Sequence, residues 1–179
     1  MKKILYILIA LIVVTGCTSL SNTPTKKAEE FLKKYQTLDN EVVTDLNEIV
    51  NQENTFNSTQ KEEYIKIMKK HYQNLSYEIK EDTINGDEAI VTAEITVTDL
   101  KRVLDEASVY LTEHAEEFND DFGNYSISKY VDYRLEQLKD ASEKVKYTIS
   151  IPLVKVNDTW QVSELDQTTL DKINGVYNY

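Results

Sequence analysis

The chain has 179 residues, with 20 Lys and Arg against 31 Asp and Glu, 2 His, 1 Cys, 1 Trp and 12 Tyr, for a formal charge of −11. That length suits one domain. The acidic balance argues against nucleic acid, which is bound by clustered Lys and Arg, and a single cysteine excludes an internal disulfide or a multi-cysteine zinc site.

Lys2 and Lys3 open the chain, and residues 4–14 follow as an uncharged apolar run. About 20 apolar residues are needed to cross a bilayer core of ~30 Å, so this run is too short to span and has the length of a signal-peptide core. It ends at Val14-Thr15-Gly16-Cys17. Charged start, apolar run, small residues and cysteine, in that order, resemble the lipobox of bacterial lipoproteins, with Val14 at the place where Leu is usual. The resemblance implies a signal peptide of residues 1–16, a lipobox at Val14, Thr15 and Gly16, and a diacylglyceryl group on the thiol of Cys17. It also implies a protein anchored to the outer face of the bacterial plasma membrane through that lipid. An ordinary secretory signal is the alternative, but the chain's single cysteine stands where acylation requires it. Each buried CH₂ of an acyl chain adds about 0.8 kcal/mol, so two or three chains hold a protein firmly.

Loss of residues 1–16 removes Lys2 and Lys3 and leaves 18 basic against 31 acidic residues, a net of −13. Such a body is repelled by anionic lipid and is expected to stand off the surface. Residues 17–25, the cysteine followed by small polar residues and Pro24, read as the tether. Four Asn-X-Ser/Thr matches, at Asn57, Asn74, Asn124 and Asn157, are chance occurrences in a bacterial lipoprotein.

From Pro24 the spacing turns helical. Ala28, Phe31, Leu32, Tyr35 and Leu38 form one stripe, with Thr25 as its cap and Asp39-Asn40 as its end. Val43, Leu46, Ile49 and Val50 predict a second helix. After a polar stretch at 51–59, Ser58 or Thr59 caps a third, with Glu62 or Glu63 placed for a capping box. Its stripe is Tyr64, Ile67, Met68, His71 and Tyr72. The period then drops to two. Leu75, Tyr77 and Ile79, a turn at Asn85-Gly86, then Ala89, Val91, Ala93, Ile95 and Val97 predict a hairpin with one packed face. Small Ala89 and Ala93 predict something bulky crossing that face.

Asp99 caps a helix predicted to reach about Phe118, with Leu100, Val103, Leu104, Ala107, Leu111, His114, Ala115 and Phe118 along its stripe. A loop at 119–126 leads to another helix bearing Ile127, Tyr130, Val131, Leu135 and Leu138. Val145, Tyr147, Ile149, Ile151 and Leu153 return to period two. Pro152 predicts an edge or a bulge there, and Val154 and Val156 shift the phase as a bulge would. Asn157-Asp158 turns the chain into a last strand around Trp160, and 166–179 predicts a short helix with a frayed tail.

Helices, hairpin, helices, hairpin is the order of an α+β body with helices on one face of a curved antiparallel sheet. The opening Ala28-Glu29-Glu30-Phe31-Leu32, the hairpin at Asn85-Gly86-Asp87 and the closing Val156-Asn157-Asp158-Thr159-Trp160-Gln161-Val162 resemble NTF2-like (cystatin-like) domains of bacterial lipoproteins. The resemblance implies a single domain over 26–179, with a helical insert at about 100–142.

Chemistry-bearing residues are sparse. The NTF2-like resemblance implies that Asp, His or Tyr inside the fold would do any catalysis, which leaves His71, His114, Asp99 and Tyr147. His71 and His114 both fall on apolar stripes, where a His is a core residue with one satisfied hydrogen bond. Capping accounts for Asp99, and packing for Tyr147. Glu116, Glu117, Asn119, Asp120 and Asp121 precede Gly123 but miss the calcium-loop template, so they read as a solvated acidic loop, and neither metal nor cofactor is expected. Tyr125, Tyr130 and Tyr133 lie close in sequence and are candidates for a ligand or interface surface. Two readings follow. One is a non-enzymatic envelope module for a small apolar ligand, a peptide or a partner protein. The other is a tethered isomerase- or hydrolase-type enzyme with His71 or His114 as base.

Overall fold

Strand and helix periods alternate along the chain, and in the computed structural model, which describes residues 22–178, they become six helices and four strands. Helices α1 (Pro24–Thr37), α2 (Asn40–Gln52) and α3 (Ser58–Gln73) precede the hairpin of β1 (Ser76–Asn85) and β2 (Glu88–Thr98). Then come α4 (Leu100–Glu113), a 3₁₀ turn (Ala115–Phe118), α5 (Ile127–Asp140), β3 (Lys144–Val156), β4 (Thr159–Val162) and α6 (Gln167–Ile173). The strands form one open antiparallel sheet in the order β1-β2-β3-β4. The fold is therefore α+β, with α4 and α5 occupying the stretch between the two hairpins.

Alternation decides which face of the sheet is covered. Ala89, Val91, Ala93, Ile95 and Val97 of β2 and Tyr147, Ile149, Ile151 and Leu153 of β3 are buried, while Ile90 on the opposite face is half exposed. Helix α1 crosses the buried face and packs on β1, β2 and β4, setting its own Ala28 and Leu32, both at 0% exposure, against the sheet. This is the bulky element that small Ala89 and Ala93 accommodate. Trp160 and Ile173 complete this core. A second core lies among the helices and contains Val42, Leu46 and Val50 of α2, Ile67, Met68 and Tyr72 of α3, Leu100 and Val103 of α4, and Val131, Leu135 and Leu138 of α5. Tyr35 joins the two: its ring meets Phe31 at 5.5 Å and Tyr72 at 5.1 Å, both edge-on, and burial pushes its hydroxyl up to about 12.

Several local expectations are corrected. The cap of α1 is Thr23, whose hydroxyl accepts from the Lys26 N–H at 3.1 Å, and not Thr25, because Pro24 takes the first helical position where its missing N–H costs nothing. The cap of α3 is Asn57, in a reciprocal capping box with Gln60. In α2 the buried stripe is Val42, Leu46 and Val50, while Ile49 is 67% exposed. Helix α4 stops at Glu113, and a 3₁₀ turn carries the chain on to Phe118. Strand β3 does not bulge at Pro152, since it pairs with β2 without a register shift from Lys144 to Val154, but the expected edge is present, because β4 pairs only with Leu153 to Val156 and leaves that side of β3 open before them. The Pro152 carbonyl accepts from the Ser163 N–H at 2.9 Å, so its nitrogen faces that same side, just past the end of β4, where no ladder donor is needed. The one register shift in the β1–β2 ladder falls between Ile79 and Glu81.

Both ends of the described chain are held. Asn22 donates to the Asp158 carbonyl at 2.6 Å and accepts from the Trp160 N–H at 3.0 Å, so residues 22–25, expected in the tether, belong to the folded body. The signal peptide, the lipobox, Cys17 and the rest of the tether lie outside the described residues. The tail expected to fray is docked as far as Tyr177. His71 reaches the Ile173 carbonyl, Tyr72 donates to Asn174 Oδ1 at 2.8 Å, and the Lys101 N–H donates to the Gly175 carbonyl at 2.8 Å. Gly175 sits at φ +69°, and a Cβ there would lie 2.3 Å from the Thr98 carbonyl oxygen and 2.7 Å from His71 Cε1, so only glycine fits.

Candidate functional site

The candidate residues separate into two groups at opposite ends of α4 and α5. The first group lies where α4 ends and α5 begins. Tyr110 stacks on His114 at 4.2 Å and on Tyr133 at 4.9 Å, and Phe118 meets Tyr130 at 5.4 Å and Tyr133 at 5.5 Å edge-on. The pairing of Tyr130 and Tyr133 follows from their three-residue spacing. Spacing alone does not single out Tyr110, because its stacking partner Tyr133 arrives from the next helix. Glu117 ties the cluster together: it accepts from the Tyr110 hydroxyl at 2.9 Å, which raises the pKa of that phenol, and lies 3.4 Å from His114 Nδ1. Tyr125 lies apart from the ring stack, on the 119–126 loop, and is 52% exposed. Nearby Phe122 is 90% exposed and Ile127 48%.

The acidic loop is built by its own backbone. Asp120 Oδ1 accepts from the Phe122 and Asn124 N–H groups, both at 2.9 Å, and these bonds hold its carboxyl below the usual range. Among the described residues, no three His, Cys, Asp or Glu side chains come together as metal ligands. Asp99 caps α4 through the Arg102 N–H at 3.1 Å. Tyr147 is a buried sheet residue, edge-on to Tyr177 at 5.8 Å.

The second group lies at the other end of α4 and α5. An open cavity of about 470 Å³ is lined by the C-terminal half of α3, the end of α5, the first residue of α4 and the facing ends of β2 and β3. His71, 3% exposed, is one of its lining residues. Its Nε2 lies 2.8 Å from the Ile173 carbonyl, which requires a proton on that nitrogen, while Nδ1 has no hydrogen-bond partner among the described residues. Burial drives the ring down to about 4, outweighing the Ile173 bond that would raise it. A neutral, buried imidazole beside no carboxylate is poorly placed as a general base. The two histidines sit in separate regions: His71 lines this cavity, and His114 does not.

The remaining lining of that cavity is basic. Lys66, Lys70, Lys139 and Lys144 face it with a single carboxylate, Glu63. Glu63 lies 3.5 Å from Lys66 and 3.8 Å from Lys139. Lys70 Nζ donates to the Lys139 carbonyl at 3.4 Å and Lys144 Nζ to Thr98 Oγ1 at 3.1 Å. Burial, and then the charge of Lys70, push the pKa of Lys144 down. Sequence spacing could not collect these lysines, because they come from three elements.

Residues 1–18 match the model of the prokaryotic membrane lipoprotein lipid attachment site. The chain is thus a lipid-anchored, membrane-associated lipoprotein. No curated protein matches it. A solved structure, that of a candidate lipoprotein (ycdA) of Bacillus subtilis subsp. subtilis str. 168, is similar at 16% identity with a TM-score of 0.45. The similarity covers 85% of this chain and 47% of that one, so this chain spans about half its length, and so distant a likeness fixes neither fold family nor function. Among the described residues no helix is long and apolar enough to cross a membrane.

Proposed function

We propose that the protein is an envelope lipoprotein whose body serves as a non-enzymatic binding module, held by lipid on Cys17 at the outer face of the plasma membrane. The lipid attachment match over residues 1–18 supports the anchoring half of this reading. Only residues 18–21 separate Cys17 from Asn22, which is bonded to the turn before β4, so the tether is shorter than the sequence suggested. Four residues can span at most about 14 Å, so the body works close to the headgroups. With a net charge of −13, it is held there by the acyl chains and not by charge.

The contact surface in this reading is the aromatic end: Tyr130 and Tyr133, both edge-on to Phe118, and Tyr125 on the adjoining 119–126 loop. Its support is exposure: Phe122 and Tyr125 present ring surface to solvent, and an aromatic ring brings a large apolar area for few rotatable bonds. Neither histidine combines a cavity, an adjacent carboxylate and solvent access, which supports binding over catalysis. Two measurements test the reading. Cys17→Ala is expected to abolish fatty-acid labelling and release the protein from membranes, and undiminished labelling would contradict lipid attachment at Cys17. A photo-crosslinker at Tyr125 in cells is expected to trap an envelope component, and its absence removes the aromatic end as the contact surface.

A further inference from the structure

We propose that the cavity at the C-terminal ends of α3 and α5 binds a small soluble ligand through a phosphate group, held between Lys70 and Lys144. This goes beyond the reading above, since the cavity lies at the opposite end of α4 from the aromatic cluster and needs no lipid anchor to act.

The charge arrangement carries the inference. The mature chain has a net charge of −13, yet this cavity gathers four lysines and one carboxylate. Glu63 serves Lys66 and Lys139, at 3.5 and 3.8 Å. Among the described residues Lys70 and Lys144 have no carboxylate partner, although the chain carries 31 acidic residues. Each is instead bonded to a neutral oxygen, the Lys139 carbonyl or the Thr98 hydroxyl. Two ammonium groups that feel each other's charge without a counter-ion are destabilising, and an anion between them relieves the repulsion. Lysines in the last turns of helices also complement the helix dipole, which accounts for Lys70 and Lys139 but not for Lys144, a strand residue.

Magnitudes favour local attraction over the body's negative field. Screening acts over roughly 8 Å at physiological salt, so distant carboxylates fade more than the lysines that line the cavity. Around the lysines, Asn74, Thr98 and Ser142 offer neutral hydrogen-bonding groups, and a cavity of about 470 Å³ has the size of small-molecule sites. The acidic surface outside the cavity disfavours an anionic bilayer as the source of the phosphate, which is why the occupant is a small soluble one.

The test uses the full-length protein in a neutral detergent, titrated with inorganic phosphate at constant ionic strength against chloride. Phosphate is expected to bind and raise the melting temperature where chloride does not. Lys70→Gln combined with Lys144→Gln is expected to weaken phosphate binding about tenfold. Without phosphate, that variant is expected to melt no lower than the wild type, because the repulsion is gone. Equal effects of phosphate and chloride, or unchanged phosphate affinity in the double variant, would overturn the proposal. If the double variant does not fold, Glu63→Gln decides: tighter phosphate binding supports the site, and unchanged binding refutes it. Vesicles of phosphatidylglycerol that capture the protein in a Lys70- and Lys144-dependent way would replace the soluble ligand with a headgroup and overturn the assignment. Loss of membrane retention in Cys17→Ala leaves all of these readouts in place, so the two proposals fail separately.

Discussion

In β2, five apolar residues at strict alternation, Ala89, Val91, Ala93, Ile95 and Val97, are all at or below 4% exposure. In α2, five apolar residues are also present, yet Val42, Leu46 and Val50 are buried, Val43 is half-buried and Ile49 is 67% exposed. A strand offers only two faces, so a period-two pattern chooses one without ambiguity. A helix offers a continuous angle. The apolar arc of α2 is wider than the strip it buries against α3, and the neighbour's position, not the pattern, decides which side of the arc is covered. The sheet core is thus specified by sequence, and the helical core by assembly.

Mutations can break this comparison, and the largest effect is expected in the sheet core. Trp160→Ala is expected to cost roughly 3–5 kcal/mol in urea unfolding, because the indole is 7% exposed and fills the face under α1. A near-neutral result would mean that the sheet core is not the stabilising layer.

The junction between the layers gives the next effect. His71 is neutral when folded, with its pKa pushed from 6.5 down to about 4, so above pH 6.5 neither state takes up a proton there. As the pH falls from 6.5 toward 4, the unfolded chain gains a proton that the folded His71 refuses, and stability drops. The full loss is about 3 kcal/mol and is complete below pH 4. His71→Gln is expected to flatten this part of the stability–pH curve relative to the wild type. A slope unchanged by the substitution would place the ring in contact with solvent.

The smallest effect separates the sides of α2. Val50→Ala, at 1% exposure, is expected to cost about 1–3 kcal/mol, and Ile49→Ser less than about 0.5 kcal/mol. Equal costs would mean that the whole apolar arc is buried.

How much was legible follows the same division. The strands, the hairpin turns and the Asp99 cap were readable because each rests on local spacing or a local hydrogen bond. Turn chemistry was readable too: Asn157 at φ +48° and Asp158 at φ +61° form the tight turn their residue types favour. The start of α1 was misplaced by two residues because a Pro at the first helical position moves the cap to the residue before it. Pro152 was readable as an edge position, since the N–H it lacks would lie beyond the four-residue β4, whereas the bulge did not form. Of the candidate sites, the Tyr130–Tyr133 pair was visible as a helical spacing. Tyr110 and the pairing of Lys70 with Lys144 were not, since each joins elements far apart in the chain.

The claim on which the cellular account depends is the lipid on Cys17, and intact-mass measurement of the protein extracted from membranes tests it most directly. The expected species lacks residues 1–16 and carries a diacylglyceryl group on Cys17. A full-length chain, or a processed chain with a free Cys17 thiol, would contradict it.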